Sequence, residues 1–147
     1  MTSFEGGQRV PAIVRWPAKI PAGSISDAMT LSMDIFPTLA EITGAVAQDA
    51  DLINGKSATE LFANPASFKT KHDYFFFGHR AVRHKDWKYH QEETFKLKRT
   101  ARKSKGPSLY NLNSDIGESK NLINDYPEIA NQLKNALMKH NKNVKKK

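Results

Sequence analysis

The chain has 147 residues, enough for one ordinary domain or for a small domain plus part of another. Its longest apolar runs, such as residues 74–77, fall far short of the ~20 residues a membrane-crossing helix needs, so neither a membrane span nor a leader segment is expected. It contains no cysteine, which excludes disulfides and thiolate zinc sites and removes the clue to compartment that cysteine usage gives.

The formal charge of +8 is unevenly placed: residues 1–68 carry four Lys/Arg against seven Asp/Glu, and residues 69–147 carry nineteen against eight. A basic half of that kind attracts nucleic acid, acidic glycans or anionic lipid through a summed field that salt screens. Composition alone favours the plainer reading, a solvated basic surface with a disordered lysine tail.

In chain order, the β-branched and aromatic run Val10-Pro11-Ala12-Ile13-Val14-Arg15-Trp16, closed by Pro17, predicts a buried strand. Leu31, Ile35, Leu39 and Ile42, with Phe36 and Ala40 beside them, recur at helical spacing up to Gly44. Pro37 is tolerated there if the helix starts near Asp34, which can cap it. Residues 45–72 are a connector with turn signals at Asn54-Gly55 and Asn64-Pro65 and room for one short helix around 57–63. From residue 73 the pattern turns to strands: 74–82, a polar turn at His84-Lys85-Asp86, then 87–90 and 109–112, an antiparallel sheet. Residues 96–106 are rich in Lys/Arg without an acid and predict an exposed loop. Asp125, Pro127 and Glu128 open a last helix with Ile129, Leu133 and Leu137 as its apolar stripe. The end of the chain, 143–147, has too little to bury.

Several chemical signatures fail on inspection. Asn54-Gly55-Lys56-Ser57 lacks the earlier glycine of a phosphate loop, because position 50 is Ala50. His72, His79, His84, His90 and His140 never fall into paired metal-ligand spacing with nearby carboxylates, so no metal site is expected. Basic and aromatic residues interleave over 77–89, but half-buried strands look the same, and nucleic acid is not expected as a partner.

Phe4-Glu5-Gly6-Gly7-Gln8-Arg9-Val10-Pro11 is more distinctive, since a glycine pair between Glu and Arg suits a tight backbone turn that presents charge. It resembles the Glu-Gly-Gly-x-Arg-x-Pro segment of the formylglycine-dependent sulfatases, followed there, as here, by Trp16-Pro17 and Ile20-Pro21-Ala22-Gly23. Three further stretches match in the family's order. They are Met33-Asp34-Ile35-Phe36-Pro37-Thr38-Leu39 with Gly44, then Arg80 and Arg83 with Trp87-Lys88, then Leu109-Tyr110-Asn111-Leu112 leading to Asp115, Glu118 and Asn121-Leu122.

The resemblance implies an α+β fold: a small antiparallel sheet of about four strands with a packed C-terminal helix, preceded by the last strand and helix of an alkaline-phosphatase-like α/β domain. Residues 1–44 would belong to the large domain, 45–72 would connect, 73–142 would form the small domain, and 143–147 would be a disordered tail. Family chemistry uses a formylglycine nucleophile and a calcium ion. This chain has no cysteine to become formylglycine and no Ser-x-Pro-x-Arg, and the family's catalytic lysine would fall one residue before Met1. The chain therefore reads as the C-terminal part of a sulfuric ester hydrolase, inactive alone, whose partner is the missing N-terminal catalytic domain and whose substrate class includes sulfated polysaccharides. The alternative is a standalone basic module for sulfated glycans. No catalytic residue is expected in it; Glu5, Arg9, His79, Arg80 and Arg83 are the candidates for substrate binding, against a plainer reading in which Glu5 and Arg9 pair together while Arg83 and Lys88 are surface strand residues. Relatives of this kind are commonly periplasmic, secreted or lysosomal.

Overall fold

The computed structural model describes residues 3–46, 54–91 and 106–144. The chain forms two compact units: Met1–Pro11 with Asp73–Lys147, and Ala12–His72. The predicted basic loop at 96–106 lies outside the described residues except for Gly106, as do 145–147 of the predicted tail; Asn143 and Val144, expected in that tail, are instead the end of the last helix.

The first unit is a four-stranded antiparallel sheet in sequential order, β1 (Phe75–Phe77), β2 (Ala81–His84), β3 (Trp87–His90) and β4 (Ser108–Asn111). The expected strand over 74–82 is two strands, because Gly78 takes φ +58 and turns the chain where a residue with a Cβ would be strained. The 84–86 turn forms as a two-residue hairpin, with Lys85 at φ +54. Register sets which side chains share a face. Val82 lies opposite Tyr89 and Tyr89 opposite Leu109, while on the other face Ala81, His90 and Ser108 form one row and Arg83, Lys88 and Tyr110 another.

The last helix, α4 (Pro127–Val144), covers the first of these faces. Its Ala130, Leu133 and Leu137 join Val82, Tyr89 and Leu109 in the core, with Ile129, Tyr74, Phe76 and Trp87 packed around them. The predicted stripe is thus the buried one. Proline at the helix's first position costs no hydrogen bond, since the first amides have no intrahelical partner. Near the other end the His140 ring stacks on Phe76, centroids 4.0 Å apart.

In the second unit α2 (Ile35–Thr43) follows a 3-10 turn at Ser32–Asp34 and stops at Gly44, φ +69, and α3 (Thr59–Ala63) is the short helix expected in the connector. Asp34 does not cap α2 as predicted. Its buried carboxylate instead accepts the Leu31 and Lys56 amides and the His72 ring, each at 2.8 Å. Thr38 Oγ1 accepts the Ala58 amide at 2.9 Å, so α2 and residues 54–58 are joined by polar groups. Only Asp34, Thr38 and Ala58 are buried among the described residues of this unit.

The strand expected at 10–16 is not formed. Those residues are irregular, and Ile13 is 96% exposed. A strand is held by backbone bonds to a neighbour, and among the described residues no strand pairs with this one. Ile35, Phe36 and Leu39 of α2 are likewise exposed although their spacing predicts a buried face. The first eleven residues, expected with the large-domain piece, cluster with the sheet. No helix among the described residues is long and apolar enough to cross a membrane.

Candidate functional site

The face of the sheet opposite α4 is covered by the opening segment. Residues Glu5–Gln8 make one helical turn, α1, closed by the Arg9 amide donating to the Glu5 carbonyl at 2.8 Å. The Phe4 ring lies 4.7 Å from His90 and 6.3 Å from Tyr110, which places the segment over the row of residues that α4 does not reach.

Beneath it is a cluster of ionisable groups. Lys88, with no exposed surface, donates to Glu5 Oε1 at 2.8 Å and lies 3.4 Å from Glu118 Oε1. Arg83 Nη1 donates to Glu5 Oε2 at 3.3 Å. Glu118 Oε2 accepts the Glu5 amide at 2.6 Å, and Glu118 Oε1 is 2.8 Å from His90 Nε2. The Lys88 ammonium also sits 4.4 Å from the centre of the Phe77 ring, a favourable placement for a desolvated cation.

Two carboxylates face one lysine and one arginine. An ionised carboxylate can only accept, so His90 Nε2 is the donor toward Glu118, and His90 Nδ1 lies 3.4 Å from Ser3 Oγ. Burial pushes the Glu118 carboxyl up, but the His90 hydrogen bond, the Lys88 charge and the Glu5 amide together hold it below its ordinary range.

The loop after β4 aims Glu118 inward, and the motif residues around it explain how. Asp115 accepts the Ser119 and Lys120 amides through Oδ2 at 2.8 and 2.9 Å, and its carbonyl takes the Glu118 amide. Asn121 Oδ1 accepts the Leu109 and Ile123 amides, both at 3.0 Å, tying the loop's end to β4. Asp115 and Asn121 build the loop, and Glu118 is what it delivers.

Of the predicted residues, Glu5 and Arg83 are brought together, while Arg9, His79 and Arg80 stand exposed. Glu5 pairs with Lys88 and Arg83, and not with Arg9. Lys88, expected on the surface, is buried for a reason strand alternation cannot supply: Trp87 and Tyr89 face α4, so Lys88 faces away, where Glu5 of the opening segment, Glu118 and the Phe77 ring lie against its ammonium. Its signal was the Trp-Lys pair, and that of Glu118 the spacing Asp115, Glu118, Asn121. His90 carried no signal of its own.

Among the described residues no group of three or more His, Asp or Glu side chains converges as a metal site. In this cluster Glu5 is already engaged by cations, and Glu118 by an amide, a cation and the His90 ring, so the cluster does not offer the free carboxylate oxygens that a calcium ion takes.

Residues 2–143 match the family described as N-sulphoglucosamine sulphohydrolase, C-terminal. The chain belongs to this sulfatase family. An uncharacterized sulfatase of Schizosaccharomyces pombe is 33% identical over 141 residues, 88% of this chain and 24% of that protein. A sulfatase of Formosa agariphila is 28% identical over 95% of this chain and 29% of its own length, and human steryl-sulfatase is 39% identical over 74 residues, 50% of this chain and 12% of its own. The sulfatase domain described here thus spans between 12 and 29% of the length of these relatives. Its fold recurs in a solved structure described with the metabolism of multiple glycosaminoglycans by Bacteroides thetaiotaomicron, with TM-score 0.75 and 24% identity, over 92% of this chain and 29% of that one. A second structure, in complex with its substrate D-glucosamine-2-N,6-O-disulfate, gives TM-score 0.61 at 21% identity over 91% of this chain and 28% of its own. These matches support a portion of a sulfatase and give no support to the alternative of a standalone binding module.

Proposed function

We propose that this chain serves as the C-terminal part of a sulfate-ester hydrolase acting on sulfated polysaccharide, and that it does not hydrolyse sulfate esters alone. The family match over residues 2–143 carries this reading. In it, the nucleophile and the calcium ion belong to an N-terminal catalytic domain, which would cover exposed apolar residues such as Ile13, Phe36 and Leu39. Glu5 and Arg83 hold the opening segment, and the exposed side chains of Arg9, His79 and Arg80 meet the anionic substrate at the rim of the active site. A polysaccharide substrate suits the surplus of nineteen Lys/Arg over eight Asp/Glu in residues 69–147, and the glycosaminoglycan connection of the structural relatives agrees with it.

The test is hydrolysis of 4-nitrophenyl sulfate with calcium, by this chain alone and by this chain joined to the catalytic half of a sulfatase relative matured to formylglycine. Turnover is expected only from the joined protein. Sulfate release by the short chain above a heat-denatured control would refute the proposal. In the same preparation, binding to heparin should weaken steeply between low and high ionic strength. Salt-independent binding would remove the rim cations from the argument.

A further inference from the structure

We propose that Glu118 is the receiving half of a polar latch, docking residues 3–8 on the second face of the sheet and so setting where Arg9 is carried. Three observations lead there. Besides the Phe4 ring against His90 and Tyr110, the opening segment is attached through polar groups: the Ser3 hydroxyl at His90, the Glu5 amide at Glu118, and the Glu5 carboxylate at Lys88 and Arg83. Apolar contacts tolerate sliding, whereas charge-assisted hydrogen bonds fix distance and direction, so this attachment defines one register. Glu118 is also held at φ +52, a backbone conformation that costs any residue with a Cβ. A turn there would be easier with glycine, which points to the carboxylate as the reason a glutamate occupies it.

The third observation is the balance of charge. Docked, the ions are dry and paired; undocked, Lys88, Glu5 and Glu118 regain water. Because desolvation and mutual attraction of buried ions nearly cancel, the two arrangements are close enough in free energy for the segment to come and go while α4 and the sheet stay folded. The core that holds the sheet, Val82, Tyr89, Leu109, Leu133 and Leu137, lies on the other face and does not involve the cluster. What the latch means for a reaction rests on the sulfatase reading above; the docking itself does not.

The experiment is hydrogen exchange and limited trypsin digestion of the full 147-residue chain, with Glu118→Gln, Glu118→Gly and Glu5→Gln. Glycine keeps and relaxes the turn while deleting the carboxylate, and Glu5→Gln alters only the opening segment, so a misfolding Glu118 variant leaves a deciding measurement. In all three variants, exchange at residues 5–8 and cleavage after Arg9 should rise at least tenfold, with α4 exchange unchanged. If Glu118→Gly keeps the segment protected, Glu118 serves only the turn and the latch is wrong. If α4 exchange rises together with that of the segment, the cluster is a general prop and the proposal is overturned. Neither readout depends on sulfate hydrolysis, so failure here and failure of the sulfatase reading are separate results.

Discussion

Replacing Lys88 by methionine tests the energetics of the buried cluster most sharply. Methionine keeps an unbranched apolar stem but removes the ammonium, with its place over the Phe77 ring, and leaves Glu5 and Glu118 with Arg83 and His90 as their remaining cationic or ring partners. Removing one partner from a buried ionic group typically costs about 3–5 kcal/mol, a large share of the roughly 5–15 kcal/mol that holds a domain together. The deficit should depend on pH in a definite sense. In the wild type the Glu118 carboxyl lies below its ordinary value of 4.5, so its contribution is present above that pH and is lost as the pH falls through the folded value. In Lys88→Met a carboxyl is pushed above its unfolded value. The penalty is then full at neutral pH and disappears as that group protonates, at about 1.4 kcal/mol for each unit of displacement. The two stability curves converge toward acid. Urea unfolding followed by Trp87 fluorescence in a Trp16→Phe background, at neutral and mildly acid pH, measures this. A neutral-pH deficit under about 1 kcal/mol, or one that does not shrink on acidification, would refute the account of the cluster.

Two other perturbations probe places away from it. In Gly55→Ala, the new Cβ would clash with the Met33 carbonyl oxygen; the backbone must shift, and a loss of about 1–3 kcal/mol is expected in the 12–72 unit, read as faster exchange at the Lys56 amide with α4 unaffected. Burial against Phe76 lowers the His140 pKa from 6.5, so the neutral ring is the folded form and stability is lost as the pH falls through the unfolded value. Thermal scans should show His140→Phe losing less between pH 7 and pH 5 than the wild type, and equal losses would contradict that placement.

Much of the sheet and helix could be read from the residues because the signals were local. The Lys85-Asp86 turn lies between two runs of alternating character, and Leu133 and Leu137 sit at helical spacing behind a proline that can only start a helix. Tyr74 to Val82 was misread as one strand because its run of aromatics outweighed the single glycine that breaks it. Residues 10–16 have strand composition, yet composition cannot provide the neighbour a strand pairs with. The cluster was the least legible part. Glu5 is 83 residues from Lys88 and 113 from Glu118, and nothing in the alternation of β3 tells a lysine facing solvent from one that a distant segment will cover. The family motif marked the positions without giving their geometry.

The sequential order of the strands has a consequence for the birth of the molecule. Every neighbour in the sheet is also a neighbour along the chain, so β1 through β4 and α4 can assemble from contacts that close short or moderate loops. The opening turn is the exception, since it is synthesised before its partner, which lies 113 residues later. At about 5–20 residues per second it waits roughly 6 to 23 seconds for Glu118 to be synthesised. Through that interval Glu5 has neither Lys88 nor Glu118 to pair with, and the opening turn docks only after the sheet it covers has been made.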